Sequence, residues 1–155
     1  MLEPGATAPE FTLRDQDGRE VRWSDFQGQP VAVFFYPKAN TPGCTKEACA
    51  FRDDRQAFEE RGVQVVGLSA DSVKSQANFH SRYELTMPLL SDPERTVLEP
   101  WGVWGEKKNY GRTYMGIRRS TFLFDADGKL LHVWPNVRVK GHVTQVLDKI
   151  DELLG

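Results

Sequence analysis

The apolar residues of this chain fall into short unbroken runs and into longer stretches with helical spacing. The run Val31–Tyr36 is unbroken and rich in β-branched and aromatic residues, and Val63–Ala70 is mostly apolar with Gln64 and Ser69 interspersed; each predicts a buried strand. The stretch at about residues 42–60 places apolar side chains three and four residues apart, which predicts a helix after the first strand. After the second strand, Asp71 or Ser72 is a candidate N-cap for a helix that ends at about Tyr83. A strand, a helix and a second strand in this order predict two parallel strands joined by a right-handed crossover.

Alternating segments on both sides of this central unit predict two β-hairpins. Residues 11–13 and 21–23 surround an Asp-Gly turn near the N-terminus, and residues 117–125 and 130–134 surround a second Asp-Gly turn near the C-terminus. The apolar residues of the segment 143–154 keep helical spacing throughout, so we expect a final helix there.

Three segments in the second half of the chain are less regular. Residues 87–90 predict a short strand, and Ser91–Glu94 has the composition of a helix start, with Pro93 just inside the first turn. Residues 100–116 are rich in glycine and aromatic side chains, and we expect them to form a long loop across the surface. Taken in order, the elements predict a single α/β domain over residues 1–155, with a central mixed sheet flanked by helices and an N-terminal β-hairpin.

Composition and charge narrow the range of partners. The chain has 155 residues, of which 39% are hydrophobic and 27% charged, as expected for one compact globular domain. A net charge of −2 without a block of basic residues argues against nucleic acid as a partner. No apolar run reaches the length of a membrane span, and the first residues lack the pattern of a signal peptide, so we expect a cytoplasmic location and no membrane partner. In that reducing compartment a transient catalytic disulfide is more common than a permanent one.

Both cysteines of the chain, Cys44 and Cys49, lie where the first buried strand gives way to a helix. Pro37 ends the strand, and Thr41 followed by Pro42 has the pattern of a helix N-cap with proline at the first helical position. A thiol in the first helical turn faces unpaired backbone N–H groups and the positive end of the helix dipole. Because both favour the thiolate, the sequence predicts that Cys44 is a nucleophile.

The second cysteine lies on the far side of the same predicted helix. Five helical residues correspond to a rise of about 7.5 Å and a rotation of about 140°. A disulfide needs Cα atoms within about 7 Å and Cβ atoms that face each other, so any pairing of Cys44 with Cys49 requires local unwinding of the helix. For Cys49 by itself, the alternative is a small buried hydrophobic residue without chemistry.

Other functions of the cysteines have weaker support. The spacing is not the C-x2-C of zinc sites, and the three histidines, His80, His132 and His142, are scattered, so neither a metal site nor a Cys-His hydrolase is indicated. A general disulfide reductase lacks its C-x-x-C motif. A binding module without catalysis, which only keeps the fold, stays as the alternative from another functional class.

The segment Pro37-x3-Thr41-x2-Cys44 resembles the active-site signature of the peroxiredoxins. Cys49, five residues later, is similar to the Q-type subgroup, also called bacterioferritin comigratory protein. Further similar segments cover nearly the whole chain: Phe34–Lys38, Phe51–Asp53, Ser91–Pro93, Trp101–Lys108, Arg119–Leu123 and Val139–His142. The resemblance implies a thioredoxin-like fold and a thiol-dependent peroxidase that needs no cofactor and no metal.

The resemblance also implies a reaction cycle. The Cys44 thiolate reduces hydrogen peroxide or an organic hydroperoxide and becomes a sulfenic acid, which Cys49 converts into an intramolecular disulfide. Thioredoxin, or another dithiol protein, is the expected reductant. The Thr41 hydroxyl is expected to hold the peroxide against the sulfur, and Pro37 is expected to shape the pocket and shield it from water. A monomer is expected, and a dimer stays open.

Arg119 is the expected cation of this site, because its permanent charge stabilises both the thiolate and the charge that develops on the peroxide. Arg118 precedes it, and strand alternation sends the two side chains to opposite faces. We assign Arg119 because it fits the family's Arg-x-x-Phe spacing, and we expect Arg118 to be solvated. Glu47 is expected either to hold Arg119 or to lie on the helix surface.

Overall fold

The computed structural model describes residues 1–155 as one seven-stranded sheet, a separate two-stranded hairpin and four α-helices. The strands are β1 (Thr12–Arg14), β2 (Glu20–Arg22), β3 (Val31–Phe35), β4 (Gln64–Ser69), β5 (Leu89–Ser91), β6 (Trp104–Asn109), β7 (Arg112–Ile117), β8 (Ser120–Phe124) and β9 (Leu130–Trp134). The helices are α1 (Pro42–Asp53), α2 (Arg55–Glu60), α3 (Val73–Arg82) and α4 (His142–Leu154), and Trp23–Phe26 forms a 3₁₀ helix.

The sheet is mixed, as predicted, and its strand order is β2-β1-β5-β4-β3-β8-β9. Strand β4 pairs in parallel with both β3 and β5, whereas the remaining neighbours are antiparallel. The parallel pairing of β3 with β4 confirms the crossover through α1 and α2. Each residue of β3 is buried, because helices or turns cover this strand on both faces, and this accounts for its unbroken apolar run.

Two apolar clusters lie on the two faces of the sheet. All four α-helices contribute to the first cluster, through Cys44, Ala48, Phe51, Phe58, Phe79, Val143, Val146 and Ile150. The second cluster is covered by the 3₁₀ helix and by the segment 97–103, with Trp101 packed against Trp23 and Phe35. Alternate residues of β3 enter the two clusters, so β3 fixes the position of α1 and of the cysteine at its start.

The expectation of a long loop over residues 100–116 is wrong. This segment contains the hairpin β6–β7, whose two strands pair from Trp104 opposite Ile117 to Asn109 opposite Arg112. The strands are polar on both faces, so they lack the period-two apolar pattern that marks a half-buried strand. The turn is made by Tyr110 and Gly111, both with positive φ (51° and 77°), which is the geometry of a type I′ hairpin turn.

Two helix predictions need correction. The helix start expected at Ser91–Glu94 does not lead into a helix, because the Asp92 carboxylate accepts the backbone N–H groups of Thr96, Val97 and Leu98 and holds a series of turns. The helix expected over residues 42–60 is divided at Asp54, whose φ and ψ of −97° and 17° separate α1 from α2.

Smaller differences concern the ends of elements. The strand expected from Ile117 begins only at Ser120, because Ile117 belongs to β7. The N-terminal hairpin is confirmed, with Leu13 opposite Val21. No helix of this fold combines the length and the hydropathy that a membrane span requires.

Candidate active site

The first turn of α1 presents Cys44 just beyond the end of β3. Thr41 occupies the N-cap position with extended backbone angles, and Pro42 is the first helical residue. The first backbone hydrogen bond of the helix runs from the Thr45 N–H to the Thr41 carbonyl at 2.9 Å, so the N–H groups of Gly43 and Cys44 have no acceptor within the helix. Cys44 is only 1% exposed. The sulfur is therefore a buried group at the positive end of a helix dipole.

Arg119 joins this turn to strand β8. Its Nη2 donates a hydrogen bond to the sulfur of Cys44 at 3.3 Å, and its Nη1 donates to Oε1 of Glu47 at 2.8 Å. A Cβ atom added to Gly43 would lie 3.2 Å from Nη2, so the glycine provides the room for the guanidinium. Burial lowers the pKa of Arg119, but the nearby Glu47 and Cys44 outweigh it and raise that pKa overall. A permanent cation is thus held at the sulfur by a carboxylate on the same helix.

Glu47 is the buried partner of this cation, with 1% exposure and with no hydrogen-bond partner for its Oε2. Burial raises the pKa of Glu47 to about 7, although the charge of Arg119 acts in the opposite direction. The raised pKa of Arg119 corresponds to an ionised Glu47, whereas a Glu47 pKa of about 7 means partial protonation at neutral pH. We favour the ionised pair at and above neutral pH, because a 2.8 Å contact joins the carboxylate to a permanent cation.

The Thr41 hydroxyl is directed into its own loop. It donates a hydrogen bond to the Lys38 carbonyl at 2.7 Å and makes no capping bond to the helix, so Thr41 occupies the N-cap position without the side-chain cap that is usual there. The proton of the hydroxyl is therefore engaged, and its oxygen lone pairs are available as acceptors. Pro37, at the start of the same loop, is half-buried.

A buried polar network fixes this loop from the side of α3. The Asp71 carboxylate accepts the Ala39 N–H at 2.8 Å and the Ser69 hydroxyl at 2.6 Å. Gln76 donates to Ser69 and accepts from the hydroxyl of Tyr36, the residue before Pro37. The sequence indicates Asp71 only as a possible helix cap, because the contact with Ala39 spans 32 positions and has no local signal.

Lys107 is a second cation near the site, and sequence reasoning did not identify it. Its Nζ donates to the Ile117 carbonyl at 3.0 Å, two residues before Arg119. Burial and the repulsion from Arg119 lower the pKa of Lys107. Arg118 is exposed, and its guanidinium lies over Gly105. The structure thus brings Arg119, and not Arg118, to Cys44.

Cys49 is half-buried on the same intact helix, and both cysteines are free thiols. The histidines are elsewhere: the buried His142 shares a 2.8 Å hydrogen bond with Thr121 and packs edge-on against Phe51 and Trp134. Burial lowers the pKa of His142 to about 4, and the charge of Arg119 acts in the same direction.

Glu47 and His142 are expected to give the free energy of unfolding two opposite dependences on pH. Burial raises the pKa of Glu47 from 4.5 to about 7, so between these values the folded chain keeps a proton that the unfolded chain has lost. Raising the pH through this range therefore destabilises the fold, by about 3 kcal/mol. Burial lowers the pKa of His142 from 6.5 to about 4, so raising the pH through that range stabilises the fold by a similar amount.

The two effects largely cancel between pH 4.5 and 6.5 in the unmodified chain. In a Glu47→Gln variant only the histidine effect remains, and we expect the free energy of unfolding to rise by about 3 kcal/mol as the pH increases towards neutrality. Urea denaturation at several pH values measures this change. Glu59→Gln, on the exposed surface of α2, is the control and should behave like the unmodified chain. A flat profile in the Glu47→Gln variant would contradict the prediction.

Comparisons with known proteins show the family to which this chain belongs. The family model described as AhpC/TSA family matches residues 4–133. The chain is 47% identical to the peroxiredoxin Bcp of Escherichia coli over 151 residues, covering 97% of both chains, and 41% identical to the peroxiredoxin Bcp of Bacillus subtilis over 152 residues, covering 98% of this chain and 97% of that one.

Two solved structures of related proteins are also similar to this chain. The peroxidoxin BcpB of Mycobacterium tuberculosis has a TM-score of 0.89 and 38% identity, with full coverage of both chains. The bacterioferritin comigratory protein of Xanthomonas campestris has a TM-score of 0.87 and 34% identity, covering 92% of this chain and 90% of that one. Its structures are described as trapped intermediate and ligand complexes that give insight into alkyl peroxide reduction.

Proposed function

Because the chain belongs to the AhpC/TSA family and is a thiol-dependent peroxidase of the peroxiredoxin type, we propose that Cys44 is its peroxide-reducing nucleophile. The observation that carries this proposal is the 3.3 Å hydrogen bond from Arg119 to the Cys44 sulfur in the first turn of α1. Arginine stays charged at any physiological pH, so this contact places a permanent cation beside the sulfur.

The peroxide step follows from the groups around the sulfur. The Cys44 thiolate attacks the terminal oxygen of the peroxide, the O–O bond breaks, and the sulfur is oxidised to a sulfenic acid. The leaving hydroxide or alkoxide takes a proton and departs as water or an alcohol. Arg119 and the free N–H groups of Gly43 and Cys44 are donors for the negative charge that develops on the oxygens.

Thr41 is proposed to orient the substrate in this step. Because its own proton is engaged by the Lys38 carbonyl, its oxygen accepts the O–H of the hydroperoxide, which leaves the terminal oxygen facing the sulfur. Pro37, which is half-buried at the start of the same loop, is proposed to shield the reacting atoms from water. The proposed substrates are hydrogen peroxide and organic hydroperoxides, in line with the alkyl peroxide reduction named for the Xanthomonas relative.

We further propose that Cys49 resolves the sulfenic acid. The Cys49 thiol loses its proton and attacks the sulfur of Cys44, the S–O bond breaks, the hydroxyl group takes up that proton and leaves as water, and an intramolecular disulfide forms. Since both residues lie on one intact helix, α1 must unwind between them, and this breaks the ion pair of the intervening Glu47 with Arg119. Thioredoxin is the proposed reductant of the disulfide, and residues 1–155 are proposed to act as one domain in the reducing environment of the cytoplasm.

Mass spectrometry after one equivalent of hydrogen peroxide tests this cycle. We expect the unmodified chain to lose two hydrogen masses and to yield a peptide pair linked through Cys44 and Cys49. In a Cys49→Ser variant the sulfenic acid still forms and is trapped by a dimedone reagent, while turnover with thioredoxin falls about tenfold or more. Full thioredoxin-coupled turnover in Cys49→Ser would show that another group resolves the sulfenic acid.

A further inference from the structure

Positive charge is concentrated between Trp104 and Arg119. This segment holds five Lys or Arg residues and one Glu, a net charge of +4, in a chain with a net charge of −2. The rest of the chain therefore carries −6. The hairpin β6–β7 makes up most of the segment and is paired only with itself. The hairpin itself, with Lys107, Lys108, Arg112 and Glu106, carries +2, and Arg118 and Arg119 follow directly after it, so an otherwise acidic molecule has one positively charged segment here.

Strand alternation divides the hairpin side chains between two faces. One face, called the cationic face below, carries Lys107, Asn109, Arg112 and Tyr114. The opposite face carries Glu106, Lys108, Thr113 and Met115. The Arg118 guanidinium lies 3.4 Å from the position of a Cβ atom added to Gly105, which places Arg118 over the cationic face as well.

The cationic face borders the active site at its inner end. Lys107 donates to the Ile117 carbonyl, and Ile117 is two residues before the arginine that contacts the Cys44 sulfur. From there the face runs outward to Arg112 and Tyr114, which are both exposed, Tyr114 to 46%. The face therefore extends from the neighbourhood of Arg119 to exposed side chains.

The chemistry by which the 44–49 disulfide is reduced indicates what kind of molecule binds the cationic face. The partner's thiolate attacks one sulfur of the 44–49 disulfide to form a mixed disulfide, and the partner's second thiol releases it, which leaves two thiols here and a disulfide in the partner. A protein that does so covers several hundred Å² of surface around the sulfur, on the order of 500 Å² even in a transient complex. A peroxide requires no such area. Tyrosine and arginine are enriched in protein interfaces, and the charge of the face selects an acidic partner.

We propose that the cationic face of the hairpin is the docking surface for the dithiol protein that reduces the Cys44–Cys49 disulfide, and that the surface around the partner's dithiol is acidic. This inference rests on the proposed recycling by a dithiol protein. The hairpin thereby acts in the reductive half of the cycle and has no part in the reaction with peroxide.

The test compares two double variants of matched size on opposite faces of the hairpin. Arg112→Glu/Tyr114→Ala changes the cationic face, and Lys108→Glu/Met115→Ala makes the corresponding changes on the other face. Each variant is oxidised with hydrogen peroxide and then reduced either by a thioredoxin of acidic isoelectric point or by dithiothreitol. The second-order rate constant of each reduction is measured at low and at high ionic strength.

The cationic-face variant is expected to lose about tenfold or more of its rate constant with thioredoxin at low salt, together with most of its salt dependence. The opposite-face variant is expected to change by about threefold or less. Both variants should keep the unmodified rates with dithiothreitol and with hydrogen peroxide, because neither alters Cys44, Thr41 or Arg119.

Three results would overturn the assignment of this face: an unchanged rate with thioredoxin in the cationic-face variant, an equal loss in both variants, or a slower reaction of the cationic-face variant with hydrogen peroxide. An unmodified disulfide form that dithiothreitol reduces and thioredoxin does not would refute the proposed recycling itself, and docking with it. The two failures are therefore distinguishable in the same set of measurements.

Discussion

Replacing Cys44 with serine is expected to lower the rate of peroxide reduction by about a thousandfold or more. A hydroxyl group does not ionise near neutral pH and is a far weaker nucleophile than a thiolate, even when Arg119 remains beside it. The loss should appear with hydrogen peroxide and with organic hydroperoxides alike, since both require attack by the same atom. Peroxide consumption in excess dithiothreitol measures it, because a small reductant keeps recycling from limiting the rate.

Two controls separate this chemical loss from a loss of fold. The Cys44→Ser variant replaces only the sulfur by an oxygen, so its thermal unfolding midpoint should stay close to that of the unmodified chain. The Cys49→Ser variant, with Cys44 intact, should still reduce about one equivalent of peroxide when no reductant is present. Retained multiple turnover in Cys44→Ser would show that Cys44 is not the nucleophile and would refute the proposed function.

The strand and helix that hold Cys44 are predictable because their signals are local. The apolar run of β3 reflects burial on both faces, and the start of α1 is indicated by two adjacent residues, Thr41 and Pro42. The β6–β7 hairpin escapes prediction because it packs against little, so no apolar alternation marks it. Its turn signal is also unusual, since Tyr110 takes the positive φ that asparagine or glycine usually supplies.

The residues of the site likewise differ in whether the sequence alone can predict their contacts. Thr41, Pro37 and Cys44 lie within eight positions of one another, and a sequence motif can describe them. The groups that contact this motif lie far away in the sequence: Asp71, just after β4, accepts from Ala39, just after the neighbouring β3, and Arg119, before β8, donates to Cys44. Contacts of this kind depend on register and packing, which have no periodicity along the chain to indicate them.

The contribution of Arg119 to the site depends on both its charge and the geometry of its hydrogen bonds. Its guanidinium makes two bonds at once, one to the Cys44 sulfur and one to Oε1 of Glu47. Lysine keeps the charge but has no planar fork, so it cannot bridge both acceptors in this geometry. We expect Arg119→Lys to lower the second-order rate constant with peroxide by about tenfold, and Arg119→Met by about 100-fold or more.

The methionine variant should also lose stability, for a reason that is separate from catalysis. It leaves the buried Glu47 carboxylate without its cation, which lowers the free energy of unfolding by about 2–4 kcal/mol. The loss is limited because Arg119 is partly exposed and because the carboxylate can take up a proton. Adding Glu47→Gln removes the buried charge, so the double variant Arg119→Met/Glu47→Gln should recover much of the unfolding free energy. Its rate with peroxide should stay low, because the sulfur still lacks a cation. Urea denaturation and stopped-flow peroxide kinetics on the four proteins of this cycle measure the two effects separately. Recovery of the peroxide rate in the double variant would mean that Arg119 acts only as a structural partner of Glu47.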